Sequence, residues 1–140
     1  MTPVLARTNH QTDDRRQKHE VQTAFNAELL FGQNMVSHLG CYRRSLLKQI
    51  GGFRLGFEGS QDYDLILRVT EKARTIVHVP EFLYRWRIHG DSAGRQKMDE
   101  VMRTSKALLQ GHLQRCGEAG TVNDGAGFNL FDIRYPLSPA

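Results

Sequence analysis

The segment from Glu58 to Arg68, with the sequence EGSQDYDLILR, constrains the fold most because it has the features of a helix that begins with acidic residues. Ser60 is a favourable N-cap residue, and acidic residues in a first turn are stabilised by the helix dipole. At about 100° per residue, Asp62 falls at the centre of an apolar stripe formed by Leu65, Ile66, Val69 and Ala73. We therefore predict that Asp62 faces the protein body.

Asp64 falls on the opposite side of the same predicted helix, and Arg68 follows it by four residues. This spacing predicts a solvent-exposed ion pair worth about 0.2 to 0.5 kcal/mol. Two interpretations of Asp62 stay open: a carboxylate that only starts the helix, and a functional carboxylate at the mouth of a cleft. An inward-facing acid must be paired, solvated or used. The helix N-terminus favours its ionised form, which can accept a proton near neutral pH.

Bulk properties narrow the class of protein. A chain of 140 residues is one globular domain by length and can bury about two thirds of the surface that it exposes when unfolded. The 39% hydrophobic and 24% charged residues are those of a folded protein and exclude disordered and fibrous classes. The net charge of +4 is spread over interleaved acids and bases, and the densest basic cluster, residues 15–18, has no alternating aromatic residues. We therefore expect no nucleic-acid partner.

The cysteines and the hydropathy pattern indicate a compartment. Cys41 and Cys116 match no metal or redox spacing, which predicts free thiols in a reducing cytosol. No apolar run approaches the roughly 18 residues of a membrane span, and residues 1–14 lack the apolar core of a secretory signal. We predict a cytoplasmic chain without a transmembrane segment, with a peripheral position at the inner membrane face as a further option.

The rest of the sequence predicts short helices and strands in mixed order. Before the acidic helix we expect a loop or chain end over 1–18, a helix over 27–31, a buried segment over 35–42, and a helix over 45–50 stopped by Gly51-Gly52. After it we expect a strand over 75–79 ended by Pro80, a strand over 82–89, a helix of about six turns over 95–116, and then a loose turn with one strand.

The predicted strand over 82–89 has two different faces. Phe82, Tyr84, Trp86 and Ile88 alternate with Leu83, Arg85, Arg87 and His89. The cationic face is either a solvated edge or a wall that meets a phosphate-bearing ligand, since guanidinium groups suit phosphate oxygens.

Several blocks, in order from about Arg15 to Ser92, resemble family 2 glycosyltransferases, specifically the C-terminal half of the catalytic domain in bacterial rhamnosyl- and O-antigen-type enzymes. The blocks are Glu28–Phe31, Gln33-Asn34, Tyr42–Ser45, Gly51–Arg54, Gly59–Leu65, Pro80 and Leu83–Arg87 with His89. The resemblance implies an α/β chain: the acceptor-side half of a GT-A fold, with short strands and a long C-terminal helix. Residues 1–117 would form this part, and 118–140 a tail or linker toward a following domain.

The resemblance also implies a reaction, the inverting transfer of a sugar from a nucleotide-sugar donor to a glycan or lipid-linked acceptor in surface polysaccharide synthesis. In that chemistry a carboxylate takes the proton of the acceptor hydroxyl, and a divalent metal neutralises the departing diphosphate. The family's catalytic base falls on Asp62. The remaining positions carried over are Glu58, Gln61, Trp86 and Arg87 for substrate binding, and His89 for the diphosphate or its metal.

The sequence also departs from the family pattern. The nucleotide-binding half precedes these motifs in the family, and the expected Asp-x-Asp metal motif falls on Ala6-Arg7-Thr8, which has no carboxylate. The nearest acids, Asp13-Asp14, are adjacent and have no apolar strand pattern before them. Because Mg²⁺ and Mn²⁺ need oxygen ligands, we expect a metal in the intact family enzyme, none bound by this chain, and no transfer by the chain alone. The alternative is a non-catalytic module of the same fold that binds a glycan or a partner.

Overall fold

A computed structural model describes the backbone of residues 5–12, 19–20, 25–36, 40–86 and 97–137. The elements follow in the order β1 (Leu5–Thr12), β2 (His19–Glu20), α1 (Ala27–Gly32), β3 (Gly40–Tyr42), α2 (Arg44–Gln49), α3 (Gln61–Thr70), β4 (Ile76–Trp86), α4 (Met98–Cys116), β5 (Thr121–Asp124) and β6 (Phe131–Arg134). The predicted α/β class, with short strands and a long C-terminal helix, is confirmed.

β1 is the central strand of a four-stranded sheet. It pairs with β4 in parallel on one edge, and on the other edge with β3 and β2, both antiparallel, at its two ends. The prediction of a loop or chain end over residues 1–18 is therefore wrong for 5–12. This strand is held by backbone hydrogen bonds on both edges, and its polar sequence, LARTNHQT, carries no period-two signal.

β4 runs through Pro80, so the prediction that Pro80 ends the strand is also wrong. The register with β1 moves from Thr8 opposite Val79 to Asn9 opposite Phe82, which leaves Pro80 and Glu81 in a bulge. Proline lacks a backbone N–H and is tolerated in a strand where the ladder is interrupted in this way.

α3 is the best-buried helix of the fold. All residues from Tyr63 to Val69 are buried, and α3 packs against α4, whose inward residues include Leu108, Leu109 and Leu113. The Tyr63 hydroxyl donates a hydrogen bond to the carbonyl of Leu30 and so ties α1 to α3. A helix covered on nearly all sides fixes the position of its first turn, where the candidate site lies.

The residues after α4 form an antiparallel hairpin of β5 and β6, where one strand was predicted. Val122 and Phe131 are buried in the common core, and the side chain of Gln110 binds the backbone of Gly120 and Val122. α4 itself ends at Gly117, which has a φ of 75°, as its sequence predicts.

Two further predictions concern the whole chain. Cys41 and Cys116 are free cysteines, as predicted, and both are exposed. Within the described ranges, no helix is long and apolar enough to cross a membrane.

Candidate active site

The first turn of α3 is positioned by a loop and by α4. Gly59 precedes the helix with a φ of 87°, a left-handed conformation that glycine adopts without strain. Ser60 occupies the N-cap position as predicted, but its hydroxyl makes no capping hydrogen bond. The hydroxyl is buried and lies 2.9 Å from the Ser105 hydroxyl of α4. Ser60 therefore fixes the start of α3 against α4.

Asp62 is half-buried at this helix start. Its Oδ2 accepts a hydrogen bond of 3.1 Å from the Asn34 side-chain amide, and its Oδ1 accepts one of 2.9 Å from the backbone N–H of Tyr63. Asn34 is itself fixed, because its Oδ1 accepts from the Val36 N–H. Among the ion pairs between described residues, none involves Asp62. The carboxylate is thus oriented by neutral donors and keeps acceptor capacity.

Tyr42, at the end of β3, lies close enough to Asp62 to feel its charge. Burial of the phenol, the Asp62 carboxylate and Cys41 together raise the pKa of Tyr42 to about 12. The phenol is therefore protonated at neutral pH and can serve as a hydrogen-bond donor beside Asp62.

Asp64 does not face solvent, so this prediction is wrong. The side chain is 1% exposed, and it accepts hydrogen bonds from both Arg54 and Arg68. The Arg68 side chain, 8% exposed, also donates to the carbonyls of Ile50 and Gly52, at 2.7 and 2.6 Å. Helical periodicity assigned Asp64 to the solvent side because it carries no information on the segment after α2, which covers that face of α3.

The electrostatics of Asp64 follow from this enclosure. Burial opposes ionisation, but hydrogen bonds and charges from Arg54 and Arg68 outweigh it and hold the pKa of Asp64 below its ordinary value. Arg54 also stacks over the Phe57 ring, with 4.5 Å between the guanidinium carbon and the ring centroid. Both oxygens of the Asp64 carboxylate are bound by these arginines, so the carboxylate is not available to a substrate.

Glu58 and Gln61 lie in the exposed loop and first turn before Asp62. The Glu58 carboxylate accepts from the Gly56 N–H and the Gln61 carbonyl oxygen from the Gly59 N–H. Backbone hydrogen bonds from Glu58 and Gly56 lower the pKa of Glu58. Both side chains order this loop, and their predicted role in substrate binding stays a prediction.

The other predicted site residues lie at or beyond the end of β4. Trp86 is the last residue of this strand, its side chain is not among those described, and Arg87 and His89 lie outside the described residues. The interpretation of the cationic face of 82–89 likewise lies outside them.

β1 and β4 are parallel and paired from Leu5–Ile76 to Thr12–Trp86, so both strands end at the same edge of the sheet. Ala6-Arg7-Thr8 lie in the middle of β1, and Asp13 directly follows its end. Asp13-Asp14 thus follow a strand in the sequence, but a polar one, in agreement with the expectation that no apolar strand precedes them.

The described residues do not bring together an oxygen-rich set suited to Mg²⁺ or Mn²⁺. Their one cluster of three potential metal ligands combines Glu71, His112 and Cys116, in which nitrogen and sulfur predominate. This cluster lies at the other end of α3.

Sequence reasoning missed Asn34, Tyr42 and Arg54 as parts of the site. Each belongs to one of the motif blocks quoted above, which was the signal available. Their contacts with Asp62 and Asp64 join residues 10 to 28 positions apart, or reach across β3. Helical periodicity carries no information on contacts of this kind.

Comparisons with known proteins give two relatives, and no model of a protein family matches. Over 95 residues, or 65% of this chain, it is 39% identical to the uncharacterized protein y4gI of Sinorhizobium fredii (strain NBRC 101917 / NGR234), of which the match covers 10%. Over 116 residues, or 81% of this chain, it is 34% identical to the O-antigen biosynthesis protein RfbC of Myxococcus xanthus, of which the match covers 9%. The chain thus spans about a tenth of the length of the curated relatives that it matches.

Proposed function

We propose that this chain is the acceptor-side part of an inverting family 2 glycosyltransferase of surface polysaccharide synthesis, acting at the cytoplasmic side of the membrane. The donor is a nucleotide sugar and the acceptor a glycan or lipid-linked sugar. The similarity to an O-antigen biosynthesis protein over most of the chain supports the pathway, and the ordered motif blocks support the reaction.

The observation that carries the proposal is the difference between the two carboxylates of the α3 first turn. Asp64 is sealed between two arginines, whereas Asp62 is half-buried, free of ion pairs with described residues, and oriented by the Asn34 amide. A general base needs a fixed carboxylate that can still reach a substrate hydroxyl. Asp62 meets this requirement and Asp64 does not.

In the proposed reaction, Asp62 takes the proton of an acceptor hydroxyl. The acceptor oxygen forms a bond to the anomeric carbon from the face opposite the leaving group, and the bond from that carbon to the diphosphate oxygen breaks. The electron pair of the broken bond leaves with the nucleoside diphosphate. The Asn34 amide holds the Asp62 carboxylate in place. Tyr42 keeps its own proton, and its hydroxyl can donate a hydrogen bond to Asp62 or to the acceptor.

A divalent metal at the diphosphate remains part of the proposal for the intact enzyme. The described residues do not fit Mg²⁺ or Mn²⁺, and no step is derived through the ion. His89 and Arg87, which follow β4 in the sequence, are the residues of this chain that we assign to the diphosphate side.

The test is Asp62→Asn in a protein that joins this chain to a nucleotide-binding half, with Asp99→Asn as a control at an exposed carboxylate of α4. Asparagine keeps the shape of aspartate but cannot take the proton. We expect turnover to fall by about 10² to 10⁴-fold with donor affinity unchanged, and the control to retain activity.

Two outcomes would contradict the proposal. If the Asp62→Asn variant turns over substrate within a few-fold of the rate of the unchanged protein, Asp62 is not the general base. Glycan binding without any donor binding or turnover in the unchanged protein would favour the alternative, a non-catalytic glycan- or partner-binding module.

A further inference from the structure

Glu71, His112 and Cys116 come together where the C-terminal ends of α3 and α4 meet. Glu71 is the C-cap of α3, and His112 and Cys116 are one turn apart in the last turns of α4. One potential ligand atom from each lies within 4.8 Å of the other two. Glu71 follows Asp62 by nine positions, which is about 14 Å along the helix axis, so this cluster is distinct from the candidate active site.

The imidazole of His112 is held rigidly. It is buried, its Nδ1 lies 2.7 Å from Glu71 Oε1, and its ring packs against Phe31 with 5.1 Å between centroids. The Cys116 sulfur lies 3.9 Å from Nδ1 and 3.7 Å from Nε2. Cys116 is exposed, which gives a solute in water a path to the cluster.

Hydrogen bonding alone explains only part of this arrangement. Glu71 accepts from Arg115 and contacts His112, and these contacts tie α3 to α4. The contacts of the Cys116 sulfur with the His112 ring add little to this, because a thiol is a weak donor and a sulfur a weak acceptor. The sulfur completes a set of one carboxylate oxygen, one imidazole nitrogen and one thiol that loses its proton on binding, the three protein ligand types that zinc prefers.

The distances show how far the ligand atoms must move to hold an ion. With Zn–N and Zn–O near 2.1 Å and Zn–S near 2.3 Å, a tetrahedral ion holds N and S about 3.6 Å apart and N and O about 3.4 Å apart. The corresponding separations here are 3.9 Å from Nδ1 to the sulfur and 2.7 Å from Nδ1 to Glu71 Oε1. An ion therefore requires the Glu71 carboxylate, whose side chain is 12% exposed, to move about 0.7 Å farther from the buried His112 ring. The exposed Cys116 side chain can rotate to meet the ion.

We propose that Glu71, His112 and Cys116 form a binding site for Zn²⁺ or a similar thiophilic divalent cation. The ion joins the C-terminal ends of α3 and α4 and leaves a fourth ligand position open. Arg115 competes with it, because its guanidinium lies 2.8 Å from Glu71 Oε1, but the Arg115 side chain is 35% exposed and can turn into solvent. This site is independent of the proposed transfer reaction.

The experiment measures binding of Zn²⁺ to the 140-residue chain by calorimetry, and uses Co²⁺ as a spectroscopic probe of the ligands. We expect one tight site per chain, a thiolate-to-cobalt charge-transfer band in the near ultraviolet, and a higher melting temperature with Zn²⁺. Mg²⁺ and Ca²⁺, which prefer all-oxygen sites, should give neither the heat nor the stabilisation.

The variants identify the ligands. Cys116→Ser should remove the charge-transfer band and weaken Zn²⁺ binding by about tenfold or more, while Cys41→Ser, at the other exposed cysteine, should change neither. Arg115→Ala should strengthen binding because it releases Glu71. Cys116 is exposed, so its variant keeps the fold even if a change at the buried His112 does not.

Absence of Zn²⁺ binding to the unchanged chain would overturn the proposal. So would binding that Cys116→Ser leaves unchanged, since the ion would then be held by other histidines or carboxylates. Weaker binding in Arg115→Ala would remove Glu71 from the ligand set. None of these results would bear on Asp62, so failure here is distinguishable from failure of the proposed reaction.

Discussion

The two sides of the first turn of α3 carry the same functional group in opposite environments. On one side, Asp62 is half-buried and bound by an amide and a backbone N–H. On the other, two residues away, Asp64 is 1% exposed and bound by two guanidinium groups. The helix points the two carboxylates in different directions. The segments that pack against each side of the helix determine how far each carboxylate is buried and which groups bind it.

The covering segment explains the difference. Residues 50–59 follow α2 and pass over the Asp64 side of α3, where the carbonyls of Ile50 and Gly52 bind Arg68. Gly51 and Gly52 have φ values of 80° and 66°, left-handed conformations that allow this turn. The Asp62 side is bordered by Asn34 and Tyr42 without a charge partner among the described residues. The Asp64 side holds the covering segment in place, and the Asp62 side leaves its carboxylate partly exposed.

The largest expected effect on stability is at Asp64. Asp64→Ala leaves the buried Arg68 without its carboxylate, and breaking a buried pair costs about 3 to 5 kcal/mol. Asp62→Ala loses the hydrogen bonds from the Asn34 amide and the Tyr63 N–H at a half-buried position and should cost about 1 kcal/mol. Chemical denaturation measures the unfolding free energy of both variants. Equal losses would show that the two carboxylates do not differ in their contribution to stability.

The two arginines should differ as well. Arg68→Met removes charge-assisted bonds to Asp64 and two carbonyl contacts in a buried position, which we expect to cost about 2 to 3 kcal/mol. Arg54→Met should cost about 1 kcal/mol, because the Arg54 side chain is 38% exposed and solvent screens its charge. The difference in unfolding free energy between the two variants is the measurement, and a larger loss at Arg54 would reverse the assignment.

The acid range of the stability curve gives a third test. The pKa of Asp64 is lower in the folded chain than its ordinary value of 3.8, so its contribution to stability is full above that value and is lost as the pH falls through the folded pKa. Glu71, lowered from 4.5 by Arg115 and His112 against the effect of burial, adds a loss of the same sign. When the pH is lowered from about 5 to about 2, the unfolding free energy of the Asp64→Asn variant should therefore fall less than that of the Asp62→Asn variant, which still contains Asp64. Parallel curves would show that Asp64 is not the paired carboxylate.

The smallest effect is expected at Ser60. Ser60→Ala removes the buried hydrogen bond to the Ser105 hydroxyl, at 2.9 Å, and a longer one to the Val101 carbonyl, at 3.4 Å, with a cost of about 1 kcal/mol. Ser105→Ala removes only the first of these and should cost no more, and the double variant should cost little more than Ser60→Ala, because the two hydroxyls share that bond. Additive losses in thermal unfolding would instead show that each hydroxyl contributes separately.

The sequence predicted the elements that have a local signal. The helices at 27–32, 44–49, 61–70 and 98–116 follow apolar periodicity or glycine stops, and the inward stripe of α3 is buried. β1 and the passage of β4 through Pro80 were missed, because a polar central strand and a bulge depend on pairing between residues about 70 positions apart. The exposure of Asp64 was wrong for the same reason, since residues 50–54 cover it. The predicted roles of Glu58, Gln61, Trp86, Arg87 and His89 stay predictions.

Chemical labelling of carboxylates tests most directly whether Asp62 is reachable and Asp64 is sealed. The native chain is treated with a carbodiimide and an amine, and tandem mass spectrometry resolves Asp62 from Asp64 on the same peptide, with the exposed Glu58 as an internal reference. The account predicts that Asp62 is modified in the native chain and that Asp64 is modified only after denaturation. Modification of Asp64 at the rate of Glu58, or protection of Asp62 equal to that of Asp64, would contradict it.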